Sequence, residues 1–124
     1  MGKRSRRRAA RDGPRPQKLL APLSEYTDAE GNVLTLRGAL TPATRLQYAD
    51  TLAGSPLSRE DAWQRAVELL FERLAARWTI AGAPIEGQRE LLQRYRSASP
   101  AERAWIRDVL REHCAENFPD VKAP

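Results

Sequence analysis

The chain has 124 residues and a mass of 14.0 kDa, which leaves room for one compact domain and a tail but not for two cores. With 41% apolar and 30% charged residues, nine prolines and seven glycines, it is neither fibrous nor collagen-like nor wholly disordered. The formal charge is +5, and a single cysteine, Cys114, excludes an internal disulfide and every multi-cysteine zinc arrangement.

The charge is concentrated at one end. Residues 1–20 carry eight basic side chains, Lys3, Arg4, Arg6, Arg7, Arg8, Arg11, Arg15 and Lys18, against the one acid Asp12. The rest of the chain holds thirteen basic and fifteen acidic residues, so the high isoelectric point belongs to the leader and not to the domain. The leader has too few apolar side chains to offset the entropy of ordering, and Gly13, Pro14 and Pro16 oppose a continuous helix. Residues 1–18 are therefore expected to form a disordered basic arm, spreading over about 25 Å as a coil and reaching roughly 60 Å when stretched. Arginine forks suit phosphate oxygens, and their binding releases condensed counterions. The arm thus predicts contact with RNA, DNA or another polyanion. No aromatic residue occurs among the first twenty-five positions to stack on bases, so no sequence readout is expected from it. The Arg6, Arg7, Arg8 cluster also fits a nuclear localisation signal. As a twin-arginine export signal it fails, because residues 9–18 supply charge and proline where an apolar core should follow. No stretch approaches the roughly 18 consecutive apolar residues of a membrane span. The expectation is a cytoplasmic protein with no integral membrane association.

After the arm, residues 19–23 read as a short apolar anchor, and residues 24–37 as a β-hairpin. Asp28, Ala29, Glu30 and Gly31 supply its turn, and Val33, Leu34, Thr35 and Leu36 its exit strand. Asp28, Glu30 and Asn32 are only superficially similar to a calcium loop, since the glycine falls too early and Ala39 stands where the closing glutamate belongs. A lone hairpin is marginal in water, so its apolar side should rest on helices as a lid or edge.

Thr41 and Pro42 as cap and first-turn proline, with Gly54 as a stop, bracket a helix over 42–53. Ser58 caps a longer helix over 59–79, on which Trp63, Val67, Leu70, Phe71, Leu74 and Trp78 share one arc. Ala62 and Leu69 lie off that arc, as a sideways extension of the core or a contact with another chain. Residues 81–84 break the chain, and a third helix spans 85–97, its first turn weakened by Gly87. Ser99, Pro100 and Glu102 form a reciprocal cap that opens a last helix over 99–117. Its apolar side carries Trp105, Ile106, Val109, Leu110 and His113, and residues 120–124 should fray. The fold class expected is mainly α, about four helices with a small N-terminal β-hairpin, in one domain over 19–119.

On the last helix Arg103, Arg107 and Arg111 recur every fourth residue and form a positive stripe. Like charges at this spacing repel slightly, and a phosphate backbone or acidic surface would relieve them. The last two helices read as an antiparallel helical hairpin more readily than as a DNA-reading pair, since Glu102 and Arg103 are all that stand where base-reading side chains belong. His113, the single histidine, is expected to pack near the helix end and bond its last carbonyls, and Cys114 points about 100° away from it. The acid pairs Glu68 with Glu72 and Asp108 with Glu112 are read as solvated charge. No metal site, cofactor loop or catalytic constellation is evident, and an enzyme is not expected.

Arginine outnumbers lysine eighteen to three and alanine occurs nineteen times, the usage of a GC-rich genome. In that composition, and in the stretch YTDAEGNVLTLRG, the chain resembles short Arg- and Ala-rich proteins of actinobacteria, a resemblance that implies no activity. The function expected is a non-enzymatic binding protein whose arm, with Arg103, Arg107 and Arg111, contacts a nucleic-acid backbone. The alternative is a protein-interaction adapter or small regulatory subunit with an incidental basic tail, held through apolar positions such as Leu69.

Overall fold

Thr41 accepts a hydrogen bond from the Thr44 amide at 3.1 Å, Pro42 opens the first turn, and Gly54 closes the last at φ 52°. These signals give helix α1, Pro42–Ala53, in a computed structural model that describes residues 22–54 and 59–124. The expected arm, 1–18, lies outside the described residues, as do 19–21 and the cap Ser58. Strands β1 (Leu23–Thr27) and β2 (Val33–Arg37) precede α1; α2 (Arg59–Leu74), β3 (Ala75–Ile80), β4 (Ala83–Ile85), α3 (Gln88–Arg96) and α4 (Pro100–Asn117) follow it.

The fold class is therefore not a mainly helical one with a small hairpin. The four strands form one antiparallel sheet in the order β1-β2-β3-β4, and the residues expected to make a lid are its first half. The helix expected over 59–79 ends at Leu74, and Ala75–Ile80 continues without a loop as a strand beside β2. Trp78 stands one helical turn beyond Leu74, so its burial suits either period; Trp-Thr-Ile favours the extended form, and β2 offers an edge to pair. Of the break expected at 81–84, only Ala81 and Gly82 form a turn, a two-residue hairpin turn, and Ala83 and Pro84 already belong to β4. Ala81 and Gly82 both take positive φ, 53° and 82°, the combination that matches the twist of paired strands. Ile85, expected in the third helix, ends β4, and that helix begins only at Gln88, after Gly87.

Register decides the core. Tyr26, Leu34, Trp78 and Ile85 stand directly opposite one another across the sheet and therefore share a face. Leu34 and Trp78 are buried, and the Phe71 ring meets Trp78 edge-on at 5.9 Å and stacks on Tyr95 at 4.9 Å. Leu70, Leu74, Leu91, Ile106 and Leu110 fill the space between. α3 packs on α2 and β3 rather than along α4, so the last two helices are not the antiparallel hairpin expected of them.

At one end of the sheet the two turns are tied together. Asp28 accepts from the Glu30 and Asn32 amides through one carboxylate oxygen and from the Asn32 side chain through the other. Asn32 in turn accepts from the Ala81 amide at 3.0 Å. Burial raises the Asp28 pKa, but the bonds from Asn32, Glu30 and Gly31 outweigh it and hold the carboxyl below its usual value.

His113 is fully buried, but it does not bond the last carbonyls of its own helix as expected. It reaches the sheet, where Nε2 lies 2.7 Å from the Arg37 carbonyl and Nδ1 2.8 Å from the Tyr26 hydroxyl. The carbonyl can only accept, so Nε2 carries the hydrogen, and in that tautomer Nδ1 accepts from Tyr26. The segment after Pro119, expected to fray, is docked on α1. Tyr48 donates to the Lys122 carbonyl at 2.6 Å, Arg45 pairs with Asp120 at 2.6 Å, and Phe118 and Val121 are buried.

Candidate nucleic-acid interface

Helix α4 starts at the reciprocal cap. Ser99 accepts from the Glu102 amide at 3.1 Å, and Glu102 accepts from the Ser99 amide at 2.9 Å and from Arg94 at 2.6 Å. With its start set there, Ile106, Leu110, His113 and Cys114 turn inward and are buried, and the stripe Arg103, Arg107, Arg111 falls on the flank towards α2. All three arginines line one groove, of about 710 Å³, whose opposite wall is the first half of α2, with Arg59, Trp63 and Val67 at intervals of four.

The three arginines are held differently. Arg103 lies over the Tyr95 ring, 5.3 Å from its centroid, and donates to the Arg96 carbonyl at 2.6 Å. Its Nε is buried without a hydrogen-bond partner among the described residues. Arg111 pairs with Asp108 at 3.1 Å on its own helix. Arg107 is exposed and has no carboxylate partner among the described residues, and the same holds for Arg59. Of the groove's acids, Asp61 pairs with Arg65 at 2.6 Å and Glu68 takes a two-pronged bond from Arg96 at 2.9 and 3.0 Å. That hydrogen bond overrides the effect of burial and keeps the Glu68 carboxyl below its usual value. The acid pairs read as solvated charge are thus partly engaged, Glu68 by Arg96 and Asp108 by Arg111.

Two groove residues carry no site signal in the sequence, and one of them, Trp63, is expected there in the core. Arg59 carried no signal beyond its position at a helix start. Trp63 falls on the arc of the α2 core, yet it is 47% exposed, because it lies a full turn before Val67, where the arc meets the groove and not the interior. Conversely Leu69 and Ala62, weighed as contacts with another chain, are buried at 8% and 1% exposure and belong to the core. Lys3, Arg4, Arg6, Arg7, Arg8, Arg11, Arg15 and Lys18 lie outside the described residues.

On the far side of α4 a second recess, of about 400 Å³, runs along β1 between Trp105, Glu112, Glu116 and Glu25. Its sign is opposite. Burial first, and then Glu116 and Glu112, push the Tyr26 hydroxyl pKa up. The two recesses thus differ in charge: the charged lining of the one along β1 is acidic, and arginines outnumber acids in the α2–α4 groove. Among the described residues no helix is long and apolar enough to cross a membrane. No protein family, no curated protein and no solved structure matches this chain.

Proposed function

We propose that the chain is a non-enzymatic nucleic-acid-binding protein of the cytoplasm, in which the basic leader and the α2–α4 groove contact the phosphate backbone of RNA or DNA without reading its sequence. The observation that supports this reading is the groove itself. The arginine stripe of α4 faces Arg59 across it, and Arg59 and Arg107 lack carboxylate partners among the described residues. A surface that tolerates such crowding of like charge gains free energy when phosphates enter and release their counterions.

The test is a salt series of RNA and DNA binding by the full chain and by a variant without residues 1–18. Binding through the leader predicts that log affinity falls against log salt with a slope of about −5 to −7, and that the deletion removes most of the affinity while the domain stays folded. Unchanged binding after the deletion, or no binding at low salt, overturns the proposal. A protein complex that persists at high salt would instead favour the adapter reading.

A further inference from the structure

We infer that the α2–α4 groove takes one nucleotide of a single strand, its base stacked on Trp63 and its phosphate held by Arg107 and Arg59, so that the protein prefers single-stranded over double-stranded nucleic acid. This rests on the polyanion reading above and gives it a substrate class. A surface serving phosphates alone requires charge and nothing else. Here five arginines, with the acids Glu60, Asp61 and Glu68 among them, surround an apolar patch: Val67 and Tyr95 contribute to its lining and are buried at 5% and 6%, while Trp63 stands beside them 47% exposed. A volume of about 710 Å³ lies in the range of small-ligand sites and is large for one phosphate. An exposed tryptophan offers a face on which any base can stack, and the neighbouring guanidinium groups supply the countercharge for the phosphate that follows it.

Duplex and single strand separate the two contributions. A duplex carries the denser phosphate charge but keeps its bases stacked inside, so charge alone favours the duplex and stacking alone favours the single strand. The experiment is fluorescence anisotropy of the full chain with a single-stranded RNA of about sixteen nucleotides, and with its duplex, at one salt concentration. Tighter binding of the single strand is expected, together with quenching of tryptophan emission that Trp63→Phe reduces. Trp63→Ala should weaken the single strand by about tenfold and leave the duplex unchanged, and Trp63→Phe should retain most of the affinity. Trp63 is half exposed, so both variants should remain folded, which thermal melting checks. The inference is overturned if the duplex binds as tightly as the single strand, or if Trp63→Ala weakens both forms equally or neither. It is also overturned if a polyglutamate peptide displaces the RNA as well as unlabelled RNA does. In the first two cases the salt slope and the leader deletion still decide whether the broader polyanion reading stands.

Discussion

His113→Ala removes a side chain that has no exposed surface and joins α4 to two strands at once. Two hydrogen bonds go, the 2.7 Å bond to the Arg37 carbonyl and the 2.8 Å bond from Tyr26, each contributing about 1 kcal/mol net. The imidazole also fills the space between the Tyr26 and Phe118 rings, which meet it edge-on at 5.7 and 5.9 Å, and its loss leaves a cavity. Together these predict a loss of about 3–5 kcal/mol, a large fraction of the 5–15 kcal/mol typical of a small domain. Tyr26→Phe deletes only the hydroxyl, and the Asn117 amide, 3.3 Å from Nδ1, remains as a weaker donor, so the loss should be about 1 kcal/mol. His113→Phe fills the site with a somewhat larger aromatic ring but strands the carbonyl and the hydroxyl, at about 1–3 kcal/mol. Urea unfolding followed by tryptophan emission, with Trp78 buried against Phe71, and by far-ultraviolet circular dichroism gives each value. The decisive quantity is the coupling. If Tyr26→Phe costs as much in the His113→Phe background as in the native one, the hydroxyl–imidazole bond contributes nothing and the reasoning is refuted.

Gly54→Ala should destabilise by more than about 2 kcal/mol, because φ is 52° and a Cβ there overlaps the Ala62 methyl where α1 meets α2; an unchanged urea midpoint would show that the two helices can part without cost. Glu102 is held below its usual pKa by Arg94 first and the Ser99 amide second, against the opposing effect of burial. Its folded value is thus below its unfolded one, so its contribution is complete above about pH 4.5 and lost as pH falls below that. Glu102→Gln should cost about 1 kcal/mol at neutral pH and flatten the acid side of a stability profile measured by urea unfolding. Burial pushes the Cys114 thiol up to about 11, so the native protein should resist a thiol reagent at pH 8 and react at once in urea; rapid native labelling would show that α4 opens locally.

What the sequence made legible is what depends on neighbours along the chain. Thr41 with Pro42, and Ser99 with Glu102, complete their bonds within three or four residues, and α1 and α4 start where those caps stand. The turn at Asp28 closes on its own side chain and is legible for the same reason. The sheet is another matter. Trp78 fits the helical arc of α2 as well as it fits a row opposite Leu34, and only pairing with β2, some forty residues earlier, chooses between them. The turn that closes β3 onto β4 places Ala81 at positive φ, where alanine is rare, so its residues gave no hairpin signal. The docked tail was equally hidden, since its partners Tyr48 and Arg45 lie more than seventy residues away. Of the site, the stripe of α4 could be read from its spacing. The groove could not, because Trp63 and Arg59 reach it through the packing of α2.

Helix α4 separates two tasks by angle. One flank is committed to the fold: Ile106, Leu110 and His113 are buried at 0–1% exposure, and His113 is bonded to β1 and β2. On the neighbouring flank Arg103, lying over Tyr95 and bonded to the Arg96 carbonyl, also ties α4 to α3, whereas the exposed Arg107 contributes little to holding the domain together. The His113 bonds fix the rotation of the helix against the sheet, and that rotation brings the arginines to face Trp63. Stability and the proposed recognition therefore meet in the orientation of one helix, through different side chains. Loss of the imidazole should disturb both, and loss of the Arg107 side chain should disturb only the proposed binding.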